Sequence, residues 1–137
     1  MRTAANPRLY DADSDVPVLY GAECGHCGRV YFPPIGIGCE MCGAAGDSLN
    51  PTVLATSGTV YAVAEVHLHH GSPPAPLTIV EIVLDAGPLV RAMVHPDAGV
   101  LQIGSRVVGS WYVTDVSESG TETVEPAFTL DSDVVAR

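Results

Sequence analysis

All four cysteines of this chain lie within one window of 19 residues, and this clustering is the strongest constraint on how the chain can fold. They form two Cys-x-x-Cys pairs, Cys24 with Cys27 and Cys39 with Cys42, each followed directly by a glycine. Such a pair can form a tight turn that directs two thiolates at one point, and two facing turns complete a tetrahedron around a metal ion. The spacing therefore predicts a four-thiolate metal site built from two matching knuckles.

Zinc is the expected metal. Two disulfides or a redox-active cysteine pair are the alternatives, but disulfides are disfavoured in a reducing compartment and a redox motif needs only one pair. Iron is the main rival, because tetrahedral four-thiolate sites accept both metals. A closed site leaves no coordination position for water, so we expect a structural Zn²⁺ held by Cys24, Cys27, Cys39 and Cys42. His26, inside the first knuckle, is expected to be an exposed loop residue.

The charge balance argues against a nucleic-acid binder. The 137 residues include 16 acidic side chains against six arginines and no lysine, for a formal net charge of −10. Non-specific nucleic-acid binding depends on Lys and Arg displacing counterions from phosphates, which such a surface opposes. No stretch approaches the roughly 20 consecutive apolar residues needed to cross a bilayer, and the first residues show no apolar run typical of a secretion signal. We therefore expect a cytoplasmic protein with no membrane partner.

Short β-branched runs separated by Gly, Pro, Ser and Asp fill the chain after residue 49, a pattern typical of an all-β domain. Five strands are predicted, at residues 58–67, 77–84, 88–94, 106–113 and 124–130. Five strands fit a small, partly open barrel. The predicted organisation is an extended N-terminal segment over residues 1–19, a zinc ribbon over 20–48 and a barrel domain over 49–137, with residues 50–57 linking ribbon and barrel.

No catalytic residue is predicted. His67, His69 and His70 stand close together beside a Pro-rich loop and allow a second metal site or a proton relay. The same alternation is also what the solvated face of a half-buried strand shows, and we favour ordinary surface histidines. The chain contains no nucleophile-elbow motif, no phosphate-binding glycine loop and no isolated cysteine that would indicate a nucleophile.

Candidate contact residues for a partner or a ligand lie between and around the knuckles. An aromatic pair followed by a diproline on a metal-braced loop is a shape suited to contacting a partner, although the aromatic rings could equally pack beneath the ribbon. A phosphate-bearing ligand is expected to use an arginine of the folded region. The candidates are Arg29, Tyr31, Phe32, Pro33, Pro34, Arg91 and Arg106.

These motifs resemble a known family. The chain resembles the acyl-CoA-associated OB-fold proteins that carry a rubredoxin-like zinc ribbon. The resemblance rests on the two knuckles around the Phe32-Pro33-Pro34 run and on the OB-fold-like stretches Ser57-Gly58-Thr59-Val60-Tyr61 and Ile103-Gly104-Ser105-Arg106-Val107. That family was long catalogued as a domain of unknown function. The resemblance covers roughly residues 20–130. It implies an all-β chain with an N-terminal rubredoxin-like zinc ribbon followed by a five-stranded OB-fold barrel.

The resemblance also implies a function. Such proteins are small, non-catalytic subunits that bind and stabilise a thiolase-fold enzyme, either a thiolase or a retro-aldolase, acting on acyl-CoA thioesters in steroid or fatty-acid side-chain metabolism. The partner carries the catalytic residues and holds most of the acyl-CoA, and a heterotetramer with two copies of each subunit is expected. The alternative is a free-standing acyl-CoA or nucleotide binding module.

Overall fold

The computed structural model describes residues 1–34, 36–67 and 76–131. It contains nine strands and one short 3₁₀ turn, Gly46–Ser48. The strands are β1 (Arg2–Ala4), β2 (Val18–Cys24), β3 (Val30–Tyr31), β4 (Leu49–Ala55), β5 (Ser57–Val66), β6 (Leu77–Leu84), β7 (Leu89–Met93), β8 (Arg106–Val116) and β9 (Glu122–Leu130). The prediction of an all-β fold with an N-terminal zinc ribbon is confirmed. Within the described ranges, no helix is long and apolar enough to span a membrane.

The ribbon rests on a three-stranded antiparallel sheet in the order β3-β2-β4. Cys24 at the end of β2 lies opposite Leu49 at the start of β4, so the sheet fixes the first knuckle against the segment that follows the second. The predicted linker over residues 50–57 is wrong, because most of it forms β4. Pro51 weakened the strand pattern in the sequence. It is accommodated in β4, which is an edge strand, the position in a sheet where proline is tolerated.

The remaining strands form one six-stranded sheet in the order β1-β9-β8-β5-β6-β7. The five strands predicted from the sequence are β5 to β9, and the turn after β6 places Gly87 at a φ of 124°, where a residue without a Cβ is favoured. The sheet curls so that a single parallel bridge joins Val94, just after β7, to Phe128 of β9. The barrel is therefore compatible with an OB-fold but is not closed by a full ladder.

The core lies inside this curled sheet. Side chains from five strands are almost completely buried there, because alternate residues of each strand face inward. They include Val60, Val80, Ile82, Val107 and Phe128. Phe128 is the largest of them, and its backbone carbonyl accepts a hydrogen bond from the N–H of His95 at 2.8 Å.

The first seventeen residues pack along the barrel. Strand β1 pairs in parallel with β9, placing Arg2 opposite Glu122. The indole N–H of Trp111 donates to the carbonyl of Ser14 at 2.8 Å, and the Arg2 guanidinium lies 5.4 Å from the centre of the Trp111 ring. The N-terminal segment is thus held to β8 and β9. The domain boundaries after residues 19 and 48 stay a prediction.

Two hydrogen bonds of Thr56 join the N-terminal segment to β8. Thr56, between β4 and β5, is 1% exposed, and its hydroxyl donates to the carbonyl of Pro17 at 2.6 Å. Its own carbonyl accepts from the N–H of Gly109 in β8 at 2.9 Å. A side chain at Gly109 would collide with Thr56, so this close approach of two strands requires glycine.

Candidate metal centre and partner-facing residues

The two cysteine pairs form turns of the same construction. In the first, the N–H of Gly28 donates to the carbonyl of Cys24 at 2.8 Å, and in the second the N–H of Gly43 donates to the carbonyl of Cys39 at 2.8 Å. Both glycines have a positive φ, 82° and 78°, a conformation that residues with a Cβ rarely adopt. The repeated geometry directs the thiols of each pair toward one centre.

The four sulfur atoms fit a tetrahedral metal ion. All four lie within 4.8 Å of one another. The Sγ atoms of Cys24 and Cys42 are 3.7 Å apart, and those of Cys27 and Cys39 are 3.5 Å apart. Zinc–sulfur bonds of about 2.3 Å in a tetrahedron place sulfurs about 3.8 Å apart. Cys24 and Cys39 are buried whereas Cys27 and Cys42 are exposed, so the site lies at the surface with one side covered. The predicted structural zinc site is confirmed, since the four cysteines lie close enough together to bind one ion.

Tyr31 supports the second knuckle from below. The backbone N–H of Glu40 donates to the Tyr31 hydroxyl oxygen at 3.0 Å, which leaves the hydroxyl proton to bond Sγ of Cys39 at 3.1 Å. This hydrogen bond, together with backbone N–H groups of Met41 and Cys42, lowers the pKa of Cys39 to about 6, which favours the thiolate that a metal requires. Tyr31 is 7% exposed and packs with Cys24 and Cys39 in a small apolar cluster that is separate from the barrel core. The ring of Tyr31 therefore packs beneath the ribbon, and its assignment as a partner contact stays a prediction.

The other contact candidates of the ribbon differ from Tyr31 in their burial. Phe32 is half-buried and packs against the barrel core, while Pro33 and Pro34 are exposed. The guanidinium of Arg29 is 3.3 Å from the Glu40 carboxylate and lies 5.1 Å from the centre of the Tyr31 ring. Arg29 therefore covers the outer side of the same tyrosine that bonds Cys39.

The two candidate arginines of the barrel, Arg91 and Arg106, are each paired with a carboxylate. Arg106 in β8 makes two hydrogen bonds to Asp85, at 2.8 and 2.7 Å, and a third to the Thr59 hydroxyl at 2.9 Å. Arg91 in β7 donates to Glu81 across the β6–β7 pairing at 2.9 Å. A phosphate group binding at either position would have to compete with the existing carboxylate. Their assignment as ligand contacts stays a prediction.

The histidine cluster is only partly within the described residues. His67 is exposed and lies 3.3 Å from the Glu65 carboxylate. His69 and His70 lie outside the described residues.

The structure also forms a cleft that sequence reasoning missed. It has a volume of about 260 Å³ and lies where the N-terminal segment, the ribbon and the barrel meet. Its lining is mostly apolar, with Tyr10, Arg91 and Glu125 as the titratable groups. Burial raises the pKa of the Glu125 carboxyl. No signal in the sequence could have indicated this cleft, because its walls come from residues more than one hundred positions apart.

Comparison with known proteins gives a family-model match and structural matches. Residues 15–48 match the family model described as the ChsH2 rubredoxin-like zinc ribbon domain. The chain also resembles the solved structure of the Ltp2-ChsH2(DUF35) aldolase, with 24% sequence identity, a TM-score of 0.64, and coverage of 82% of this chain and 84% of that chain. No curated protein sequence gives a significant match. At this identity the structural likeness shows a shared fold. Residues 15–48 are therefore a rubredoxin-like zinc ribbon of the ChsH2 type, carried on a chain with the fold of that DUF35 structure.

Proposed function

We propose that this chain is a non-catalytic subunit that binds and stabilises a thiolase-fold enzyme, a thiolase or a retro-aldolase, acting on acyl-CoA thioesters. The observation that carries the proposal is the shared fold with the Ltp2-ChsH2(DUF35) aldolase over 82% of the chain. The name of that structure pairs ChsH2 with a second protein in an aldolase. By analogy, the partner of this chain supplies the catalytic groups and most of the acyl-CoA site, in a cytoplasmic heterotetramer with two copies of each subunit.

The metal centre fits an accessory role. Four thiolates occupy all four coordination positions of a tetrahedral zinc ion and leave none for water or substrate, so the role of the ion is to stabilise the fold. The metal site holds the loop between the knuckles in place. Tyr31, which bonds the ligand Cys39, directly precedes Phe32, and Phe32 packs against the barrel core. A ribbon held in this way can present a fixed surface to another protein.

A surface of this kind lies on the three-stranded sheet. An open apolar groove is lined by Pro34 from the inter-knuckle loop and by Leu49, Pro51 and Val53 of β4. The side chain of Val53 is 61% exposed. A shallow apolar groove beside an exposed proline is typical of a protein contact rather than of an enclosed ligand site. It joins the predicted contact residue Pro34 to a strand that the sequence did not predict.

The test is assembly with a catalytic subunit. The chain should be co-expressed with a thiolase-fold protein from its own cells, and native mass spectrometry should show a zinc-loaded complex. We expect the thiolase-fold protein to be inactive or insoluble alone. Val53→Glu should weaken the complex, whereas Val116→Glu, at a barrel valine with a similar exposure of 56%, should leave it unchanged.

The free-standing binding module makes the opposite prediction. The isolated, zinc-loaded chain would then bind acyl-CoA or a nucleotide, and Arg91→Ala or Arg106→Ala would weaken that binding. A chain that remains alone in the assembly experiment but binds acyl-CoA by calorimetry would overturn the subunit proposal.

A further inference from the structure

The cleft between the N-terminal segment, the ribbon and the barrel contains a carboxylate that the chain itself leaves unpaired. Glu125 lies on β9, is only partly exposed, and lines the cleft together with Leu9, Tyr10 and Leu19. Among the described residues, the Glu125 carboxylate has no hydrogen bond and no ion pair. Partial burial removes some of the water around this carboxylate, and no described donor replaces it, which makes its charged form less favourable.

The described arginines do not supply the missing cation. Arg91 also lines the cleft, but its guanidinium donates to Glu81 at 2.9 Å. Arg2 donates to the Ser14 carbonyl and covers Trp111. Arg29 and Arg106 are paired with Glu40 and Asp85. Arg8 is exposed and does not line the cleft.

Tyr10 contributes a neutral phenol group to the lining of the cleft. Its hydroxyl oxygen accepts a hydrogen bond from the N–H of Asn6 at 3.1 Å, and its ring lies 5.9 Å from that of Trp111. Burial raises the pKa of Tyr10, and the nearby Glu125 charge adds to that rise. The cleft thus offers an apolar wall, a phenol oxygen and an unpaired carboxylate, which together match a group with a cationic head on an alkyl stem.

We propose that this cleft binds an arginine or lysine side chain presented by the catalytic partner, with the alkyl stem against Leu9 and Leu19 and the cationic head at Glu125. The identity of the partner rests on the proposed function, whereas the preference for a cation does not. The volume of about 260 Å³ is below the roughly 300–1,000 Å³ typical of cofactor and drug-sized ligand sites, so a single side chain fits the cleft better than a nucleotide. The formal net charge of −10 further favours a basic contact.

The first experiment uses the isolated, zinc-loaded chain and agmatine, which carries the stem and guanidinium of arginine. We expect agmatine to shift the amide signals of Leu9, Leu19 and Glu125 in two-dimensional NMR spectra, and 1-pentanol, which has a stem without the charge, to bind more weakly. Glu125→Gln should weaken agmatine binding at least about tenfold, in line with hydrogen bonds to charged groups. Glu122→Gln removes the same charge from the same strand outside the cleft and should bind agmatine as the unaltered chain does.

Absence of agmatine shifts at the cleft, or equal binding by the Glu125→Gln variant, would overturn the proposal. A second experiment separates it from the proposed function. If Glu125→Gln and Glu122→Gln assemble equally well with the thiolase-fold subunit, the cleft does not receive the partner's side chain although the subunit role stands. If the chain binds agmatine but forms no complex, the subunit role fails and the cation site is retained.

Discussion

The Tyr31 hydroxyl lies 3.1 Å from Sγ of Cys39 and is itself held by the backbone N–H of Glu40. A buried aromatic residue of the loop between the knuckles thereby orients one of the four metal ligands. Groups that orient a ligand in this way generally affect metal affinity about 10–100-fold.

We therefore expect Tyr31→Phe to weaken zinc retention by about 10-fold or more, with the ring still packed beneath the ribbon. The measurement is a competition between the protein and a chromogenic chelator. Tyr20→Phe is the matched control, because Tyr20 lies on β2 and does not contact the cysteines. Equal zinc affinity in all three proteins would show that the hydrogen bond contributes nothing to the site.

Replacement of a ligand has a larger effect. Cys39→Ser should abolish stoichiometric zinc binding and unfold the ribbon, since the free energy of metal binding is part of the folding free energy of such a site. Elemental analysis and the melting temperature provide the two readouts. His26→Ala, inside the first knuckle, should change neither. A Cys39→Ser variant with full zinc content and an unchanged melting temperature would contradict the four-thiolate assignment.

The Asp85–Arg106 pair predicts a pH-dependent contribution to stability. The hydrogen bonds from Arg106 lower the pKa of Asp85 in the folded chain. Because the folded pKa lies below the unfolded one, the pair stabilises the fold above the ordinary pKa of aspartate, and the stabilisation is lost as the pH falls through the folded pKa. Asp85 is 56% exposed, so solvent screening limits the effect to about 1 kcal/mol or less.

Asp85→Asn should thus lower the free energy of unfolding at neutral pH and make no difference in strong acid. Urea unfolding at a series of pH values measures this. Asp97→Asn, at a carboxylate that is 93% exposed, is the control. If the two proteins differ in their free energy of unfolding by the same amount at every pH down to strong acid, the ion pair is not the cause of the difference.

Glu125 predicts the opposite pH dependence. Burial raises the pKa of its carboxyl, so the folded chain keeps this proton to a higher pH than the unfolded chain does. The free energy of unfolding therefore falls as the pH rises from the ordinary pKa of glutamate through the raised one. Glu125→Gln should stabilise the isolated chain at neutral pH, by on the order of 1 kcal/mol or less, and the gain should vanish in acid. Glu122→Gln provides the comparison. The prediction is refuted if the free energy of unfolding of Glu125→Gln, relative to that of the unaltered chain, is lower at neutral pH than in acid.

The hydrogen bond from Thr56 to Pro17 predicts how much the contact between the N-terminal segment and the barrel stabilises the fold. Thr56→Val keeps the shape of the side chain but leaves the Pro17 carbonyl without its 2.6 Å hydrogen bond. An unpaired buried acceptor costs about 1–3 kcal/mol, which thermal unfolding should show as a lower melting temperature. Thr52→Val, on the partly exposed part of β4, should have a much smaller effect. Similar melting temperatures for the two variants would mean that the Thr56 hydroxyl is dispensable.

The sequence by itself determined the metal centre and the class of the fold. Two cysteine pairs with a glycine after each predict the knuckles, because each turn is closed by hydrogen bonds between residues only four apart. Five runs of alternating apolar residues predict β5 to β9, because a strand with one buried face has an apolar residue at every second position. The strand β4 was missed, since Pro51 breaks its pattern without breaking an edge strand.

Only the tertiary structure decided how distant segments meet. The hydrogen bond from Trp111 to Ser14 joins residues 97 positions apart, and the parallel pairing of β1 with β9 spans nearly the whole chain. The same holds for the position of Tyr31 beneath Cys39 and for the partial burial of Glu125, which looks like any surface acid in the sequence. The physical reason is that burial and pairing belong to the environment that other segments create, and a residue carries no local record of which segments those are.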